Sequence, residues 1–454
     1  MTMRSINPAT GEEEQTFPTW RDSQIESALR DAAEATSEWA ASPFEARAES
    51  LRQVAALVRE RQSGLSRLMS LEMGKLIGEA EAEVEKCAWV CEYYAEHGEA
   101  FLADEAVESD ASRSLVVFQP LGTVLAIMPW NFPLWQLFRC AAPALAAGNT
   151  VLLKHASNVP QCALAIERVI HDAGLPRGVF RTLLISAGQT GKVIASPAVH
   201  GVSLTGSDVA GREVAATAGR HLKKTVLELG GSDAFVVLED AELDQTTEVA
   251  VKSRFLNGGQ SCIAAKRFIV VDDIAEAFLE RFRTGVEALS AGDPLARETT
   301  LPPLAREDLR ETLHRQVQES AAQGAVVVTG GGPLKGRGYF YAATVLDRVG
   351  PGMPAYGEEL FGPVASVIRA RDEADALRIA NDSRYGLGGS VWTRDVQRGE
   401  RFARRLACGC AFVNGLVKSD PRLPFGGIKE SGYGRELSLL GIREFVNAKT
   451  LWIA

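Results

Sequence analysis

The feature that most constrains this chain is a repeated alternation of short apolar runs with longer amphipathic ones. From residue 123 onward the order is "TVLAIMP", "APALAAGN", "TVLLK", "CALAIERVIHDAG", "VFRTLLI", "TGKVIAS", "GVSLTGS" and "VAGREVAATAG". Every first member of these pairs reads as a buried strand and every second as a helix, closed at Gly148 and Gly174. Strands separated by helices pair in parallel through crossover connections, with the helices packed on the sheet faces. The alternation resumes after Glu228 with "DAFVVLE", "LDQTTEVAVKSRFL", "KRFIVV", "IAEAFLERFRTGVEAL", "AVVVTGG", "ATVLDRV", "GPVASVIRA", "DEADALRIAN" and "GSVWT". Residues 293 to 312 between them look less regular. The prediction is two α/β units of the dinucleotide-binding kind.

With 454 residues the chain is too long for one simple core, which agrees with two units or more. Ahead of them, residues 6 to 24 are polar and turn-rich, and residues 44 to 102 carry the three-and-four spacing of long amphipathic helices, with Gly74 as a stop. Residues 112–122 and 438–454 end or lead as apolar strands. Such strands are a liability unless another strand or subunit covers their edge, so subunit contacts are expected there.

Charge narrows the partners. A formal net charge of -9 and a pI near 5.4 argue against nucleic acid. Seven cysteines form no disulfide framework, which suggests reduced thiols and a cytoplasmic location. The start, "MTMRSINPATGEEE", has no apolar segment of the signal-peptide kind, and no run is long and apolar enough to predict a membrane span. The six histidines fall in no ligand-spaced cluster, so no metal is expected.

Chemistry concentrates in a few stretches. In "LNGGQSCIAAK", glycines permit a sharp backbone path before Cys262, and the Cys262 N–H could face whatever its sulfur attacks. Such a cysteine reads equally as a small buried hydrophobe. In "LELGGSDAF", Glu228 stands between apolar residues at a strand end. Burial there would raise its pKa toward the range of a general base, although an ion pair at a domain boundary fits the local pattern too. In "PWNFPLW", two prolines restrict the backbone around Asn131, whose amide could donate to an oxyanion or simply belong to a rigid aromatic turn. Lys154 ends a strand, where doubly wound sheets bind ligands. Gly206 and Ser207 precede a helix, a place that suits phosphate or a simple cap.

Taken together, "PWNFPLW", "LELGGSDAF", "NGGQSC", "EELFGPV" and "PFGGIKESGYG" resemble, in order and spacing, the NAD(P)-dependent aldehyde dehydrogenase superfamily over nearly the whole chain. The resemblance implies that Cys262 is the nucleophile, Glu228 the general base and Asn131 the oxyanion donor. It implies that Trp130, Lys154, Gly206, Ser207, Glu359 and Phe361 contact the dinucleotide. It also implies a coenzyme domain of residues 1–111 and 123–230, a catalytic domain of residues 231–425, oligomerisation strands at 112–122 and 438–454, and a homodimer or homotetramer. The implied reaction runs through a thiohemiacetal and a thioester on Cys262. Relatives that pass the acyl group to a thiol lack the carboxylate at Glu228, so water is the expected acceptor.

Within that superfamily the chain looks most like the short bacterial succinate-semialdehyde dehydrogenases. NAD-preferring relatives often carry a glutamate where Ser157 stands here, so NADP or dual use is favoured over NAD alone. Arg139 matches an arginine that grips the distal carboxylate of the substrate in longer relatives, a geometry that suits a guanidinium. The second arginine of those relatives is replaced by Leu256. Lys418, Ser419 and Arg422 are candidates to complete the clamp. A broad-specificity dehydrogenase for short or aromatic aldehydes and a non-catalytic structural homologue are the alternatives.

Overall fold

Six strands build the first sheet in the order Gly432–Tyr433, Lys224–Glu228, Val199–Thr205, Thr123–Met128, Thr150–His155 and Phe180–Thr182. This is a computed structural model, and it describes residues 2–454. All of these strands run parallel except Gly432–Tyr433, which returns antiparallel against Glu228 and Leu227. The strand Thr123–Met128 is buried at every position, as the continuous apolar run "TVLAIM" requires of a strand covered on both faces. The chain order reverses there, since one neighbour is the next strand along the chain and the other is Val199–Thr205. The loops after these two strands therefore flank a topological switch point, where open α/β sheets bind ligands.

The second sheet has seven strands in the order Val326–Thr329, Thr344–Asp347, Val364–Ala370, Ala265–Val271, Asp233–Val237, Gly388–Trp392 and Cys410–Val413. Only Val326–Thr329 is antiparallel. Phe235, Phe268, Phe278, Phe282 and Trp392 fill one face, with Phe235 stacked on Trp392 at a centroid distance of 4.9 Å. The architecture is α/β with two Rossmann-like units.

A third sheet joins the two apolar segments. Val446–Ile453 pairs antiparallel with Arg113–Pro120, which pairs in turn with Glu105–Ala106. The two segments expected at subunit contacts thus cover one another first. Val446–Ile453 is an outer strand of that sheet, and it leaves Trp452 55% and Ile453 47% exposed.

Several local expectations differ from the structure. The turn-rich start holds a hairpin of Thr2–Ile6 and Glu13–Pro18. The stretch read as irregular contains the start of a helix, Glu307–Ala322, whose charged sequence buries only Leu313, Gln316, Val317 and Ser320. That narrow apolar stripe is too sparse to stand out as periodicity. The helix after "PWNFPLW" begins at Trp135, inside the motif read as a turn, and it is buried all round. No helix among the described residues is long and apolar enough to cross a membrane.

Candidate active site

Cys262 sits in a turn between the short helix Leu256–Gly259 and the strand Ala265–Val271. Three successive residues before it, Asn257, Gly258 and Gly259, have φ of 55°, 61° and 73°. This left-handed run explains the glycines. At Gly259 a Cβ would also stand 2.3 Å from the Gly362 carbonyl oxygen, so the loop passes directly against the "EELFGPV" segment.

Buried cations hold the loop in place. Arg254 donates to the carbonyls of Ala265 (3.1 Å), Gly259 (2.9 Å), Leu360 (3.1 Å) and Gly362. Lys266 donates from Nζ to the carbonyls of Ser261 (2.8 Å), Cys262 (2.9 Å) and Ala264 (3.3 Å), and lies 3.4 Å from Glu359 Oε1. Asn257 donates from Nδ2 to the carbonyls of Asn131 (2.9 Å) and Gln260 (3.1 Å). Neither Arg254 nor Lys266 stood out in the sequence. The available signal was a basic residue set inside an otherwise apolar strand or helix end.

Asn131 donates from Nδ2 to the carbonyl of Gln260 at 3.0 Å, so its amide is docked on the cysteine loop with a second N–H to spare. Among the described residues the Cys262 N–H donates to no acceptor within the chain. The second Asn131 N–H and the Cys262 N–H are thus two donors left for a ligand. The sulfur is half-buried, and burial pushes its thiol up to about 12, opposed by the positive charges of Arg139 and Lys266. The resting group is a thiol, which must lose its proton before it can act.

Glu228 ends the strand Lys224–Glu228 and is 2% exposed. Neither carboxylate oxygen has a hydrogen-bond partner among the described residues, and burial raises its pKa well above the usual range. One oxygen stands where a Cβ at Gly426 would lie 2.7 Å away. A buried carboxyl with unused lone pairs is costly and suits a group that exchanges protons.

A cavity of about 340 Å³ opens on Cys262 and is walled mainly by Phe132, Trp135, Leu256, Ile263, Val417 and Phe425. Leu256 and Ser419 both line it. Arg139, expected to grip the distal carboxylate, also reaches its wall. The guanidinium forms a buried ion pair with Glu436, donates to Thr205 Oγ1 at 3.3 Å and lies 4.6 Å from the Phe425 ring centroid. Arg422 is turned to Asp420, 2.7 Å away, and Lys418 is exposed.

The other expected residues collect at the carboxyl ends of the first sheet. Lys154 is the next-to-last residue of the strand Thr150–His155, and burial lowers its pKa with no carboxylate opposing it. Ser157 is exposed in the turn that follows. Ser207 caps the helix Asp208–Arg220 by accepting from the Ala210 N–H at 3.2 Å, and a Cβ at Gly206 would meet open space. Trp130 meets Phe361 edge to face at 5.7 Å. Glu359 accepts from the Gly231 N–H at 3.1 Å. A half-buried ammonium without a paired anion and a capped helix N-terminus at the carboxyl end of the sheet fit a dinucleotide.

Fold and site together define a cysteine-dependent dehydrogenase built on two Rossmann-like units. The model of the aldehyde dehydrogenase family matches residues 1–451, and the chain belongs to that family. It is 49% identical over 454 residues to a probable succinate-semialdehyde dehydrogenase [NADP(+)] of Synechocystis, covering 100% of both chains. It is 47% identical to the Escherichia coli succinate semialdehyde dehydrogenase [NAD(P)+] Sad, over 99% of this chain and 97% of that one. The crystal structure of succinic semialdehyde dehydrogenase from Streptococcus pyogenes in complex with NADP+ superimposes with a TM-score of 0.98 at 38% identity, covering 99% of each chain.

Proposed function

We propose that this chain oxidises succinate semialdehyde to succinate with NADP, and with NAD as a second cosubstrate. The observation that carries the reading is the cavity on Cys262, apolar along its walls and bearing cationic and hydroxyl groups at Lys86 and Ser419. That pattern suits a short aliphatic aldehyde with a charged far end. Near full-length identity to relatives named for this substrate supports it.

In this reading the Cys262 thiol gives its proton to solvent water, and Sγ bonds to the aldehyde carbon while the C=O electron pair moves onto the oxygen. The second N–H of Asn131 and the Cys262 N–H meet that oxygen. The bound dinucleotide supplies the hydride acceptor, held by Lys154, Ser157, Gly206, Ser207, Glu359, Trp130 and Phe361. The thioester left on Cys262 is opened by water, whose proton Glu228 takes. Ser157 places no negative charge beside Lys154, which favours a cosubstrate with a 2'-phosphate. The exposed outer strand Val446–Ile453 supports a homodimer or homotetramer.

One substrate panel with both cosubstrates tests the reading. Succinate semialdehyde is expected to exceed butyraldehyde in kcat/KM. Equal values would mark a broad-specificity aldehyde dehydrogenase, and no reduced cosubstrate with any aldehyde would mark a non-catalytic homologue.

A further inference from the structure

The segment that carries Asn131 is fastened at several points, and one of them lies on the dinucleotide side of the site. The Asn131 carbonyl accepts from Asn257, and its amide donates to the Gln260 carbonyl. The N–H groups of Leu134 and Trp135 both donate to Glu83 Oε1, each at 2.9 Å. The carbonyls of Phe132 and Leu134 accept from the N–H groups of Gln136 and Phe138 as the helix Trp135–Ala146 begins. The Pro133 carbonyl between them accepts from no backbone N–H among the described residues. Its partner is His155 Nε2, at 2.9 Å. His155 is buried and ends the strand Thr150–His155, one residue beyond Lys154. Its other ring nitrogen, Nδ1, accepts from the Ala156 N–H at 2.9 Å. A backbone N–H can only donate, so that bond puts the ring proton on Nε2, facing the Pro133 carbonyl.

We propose that His155 is a positioning residue, which sets the Asn131 amide for the oxyanion by bonding the Pro133 carbonyl. This rests on the reading that Asn131 meets the oxygen of the reacting aldehyde. Pro133 fixes its own φ and confines Phe132 before it, so the path from the held carbonyl back to Asn131 is stiff. Pro133 also has no N–H with which to anchor itself, which leaves its carbonyl as the point of attachment. The strands agree with this link. Met128 pairs with His155 in the parallel register, so the segments leaving the two strand ends start side by side. The ring is buried with both nitrogens bonded, which fixes its orientation. Burial lowers its pKa to about 4, and the charge of Lys154 acts in the same direction, so the neutral tautomer persists at neutral pH.

The test measures the single-turnover rate of reduced-cosubstrate formation with saturating succinate semialdehyde and NADP. It compares the wild type with His155→Leu, His155→Asn and His155→Gln, each with Asn131 intact and with Asn131→Ala. Glutamine can place an amide N–H where Nε2 stands, whereas asparagine is too short and leucine has no donor. With Asn131 intact, His155→Leu and His155→Asn should slow the step roughly 10–100-fold, the scale of a misplacement by about 1 Å, with the aldehyde KM little changed. His155→Gln should recover most of the rate. With Asn131→Ala the same substitutions should change the rate by less than about twofold, because the group they position is gone. Equal factors lost in both backgrounds, or His155→Gln no better than His155→Asn, would overturn the proposal and leave Asn131 as the oxyanion donor. An Asn131→Ala protein with the wild-type rate would overturn that reading and the proposal together. Should His155→Leu fail to fold, His155→Gln against His155→Asn carries the same comparison.

Discussion

Lys266 lies 3.4 Å from Glu359 while the same ammonium bonds the carbonyl of Cys262 at 2.9 Å. One buried cation therefore joins the Cys262 loop to a residue expected to contact the dinucleotide. Lys266→Met would leave three carbonyls without this donor and Glu359 without its cation. The expected cost is about 3–5 kcal/mol of stability, read as a lower denaturant midpoint, because a buried charge loses its partner. Turnover and cosubstrate KM should worsen together in whatever folds.

The Cys262 thiol is pushed up to about 12 by burial, so its thiolate is scarce at neutral pH in the free protein. Alkylation of this cysteine by iodoacetamide, followed by peptide mapping, should quicken about tenfold per pH unit from neutral into the alkaline range. Cys262→Ala should remove dehydrogenase activity. A pH-independent labelling rate would mean that the thiol is activated at rest.

Glu228 trades stability for chemistry. Its folded pKa is raised above the ordinary 4.5 by burial, so the folded chain resists its ionisation. Below the ordinary value folded and unfolded chains are both protonated and the group costs nothing. Its protonated form helps the fold less and less as pH rises toward the folded pKa, where the stability contribution is lost. Glu228→Gln should accordingly raise the thermal midpoint at pH 8 relative to wild type. Steady-state turnover should fall roughly 100–10,000-fold, the range of a lost general base, with a burst of one reduced cosubstrate per site preserved.

Arg139→Ala distinguishes a structural ion pair from a substrate clamp. Removing the guanidinium leaves Glu436 buried and unpaired, which costs about 3–5 kcal/mol. The thermal midpoint should drop, and kcat/KM for succinate semialdehyde and butyraldehyde should fall by similar factors. A selective loss with the carboxylated substrate would return Arg139 to the role of carboxylate grip.

Ser157→Glu should turn the chain toward NAD. A carboxylate in the turn after Lys154 would oppose a 2'-phosphate by on the order of 1–4 kcal/mol, or roughly tenfold and more in the KM for NADP. Initial rates with each cosubstrate measure it, and an unchanged NADP-to-NAD ratio would show that Ser157 is not a determinant.

Much of this molecule is legible along the chain because its determinants are local. Apolar runs such as "TVLAIM" and "DAFVV" can only be buried strands, and the helices between them impose parallel order. The "NGG" before Cys262 encodes a left-handed path that few other residues adopt. Cys262, Glu228 and Asn131 could be named on motif order alone. The partners of the charges could not. Arg139 and Glu436 are far apart in sequence, as are Lys266 and Glu359, or Lys86 and Ser419. An arginine looks equally free to grip a substrate whether or not a distant glutamate neutralises it. Burial and pairing are properties of the folded core, where desolvation makes each charge take a partner or wait for one. The reaction class was thus written in the sequence, while the partner that each buried charge takes was decided by tertiary packing.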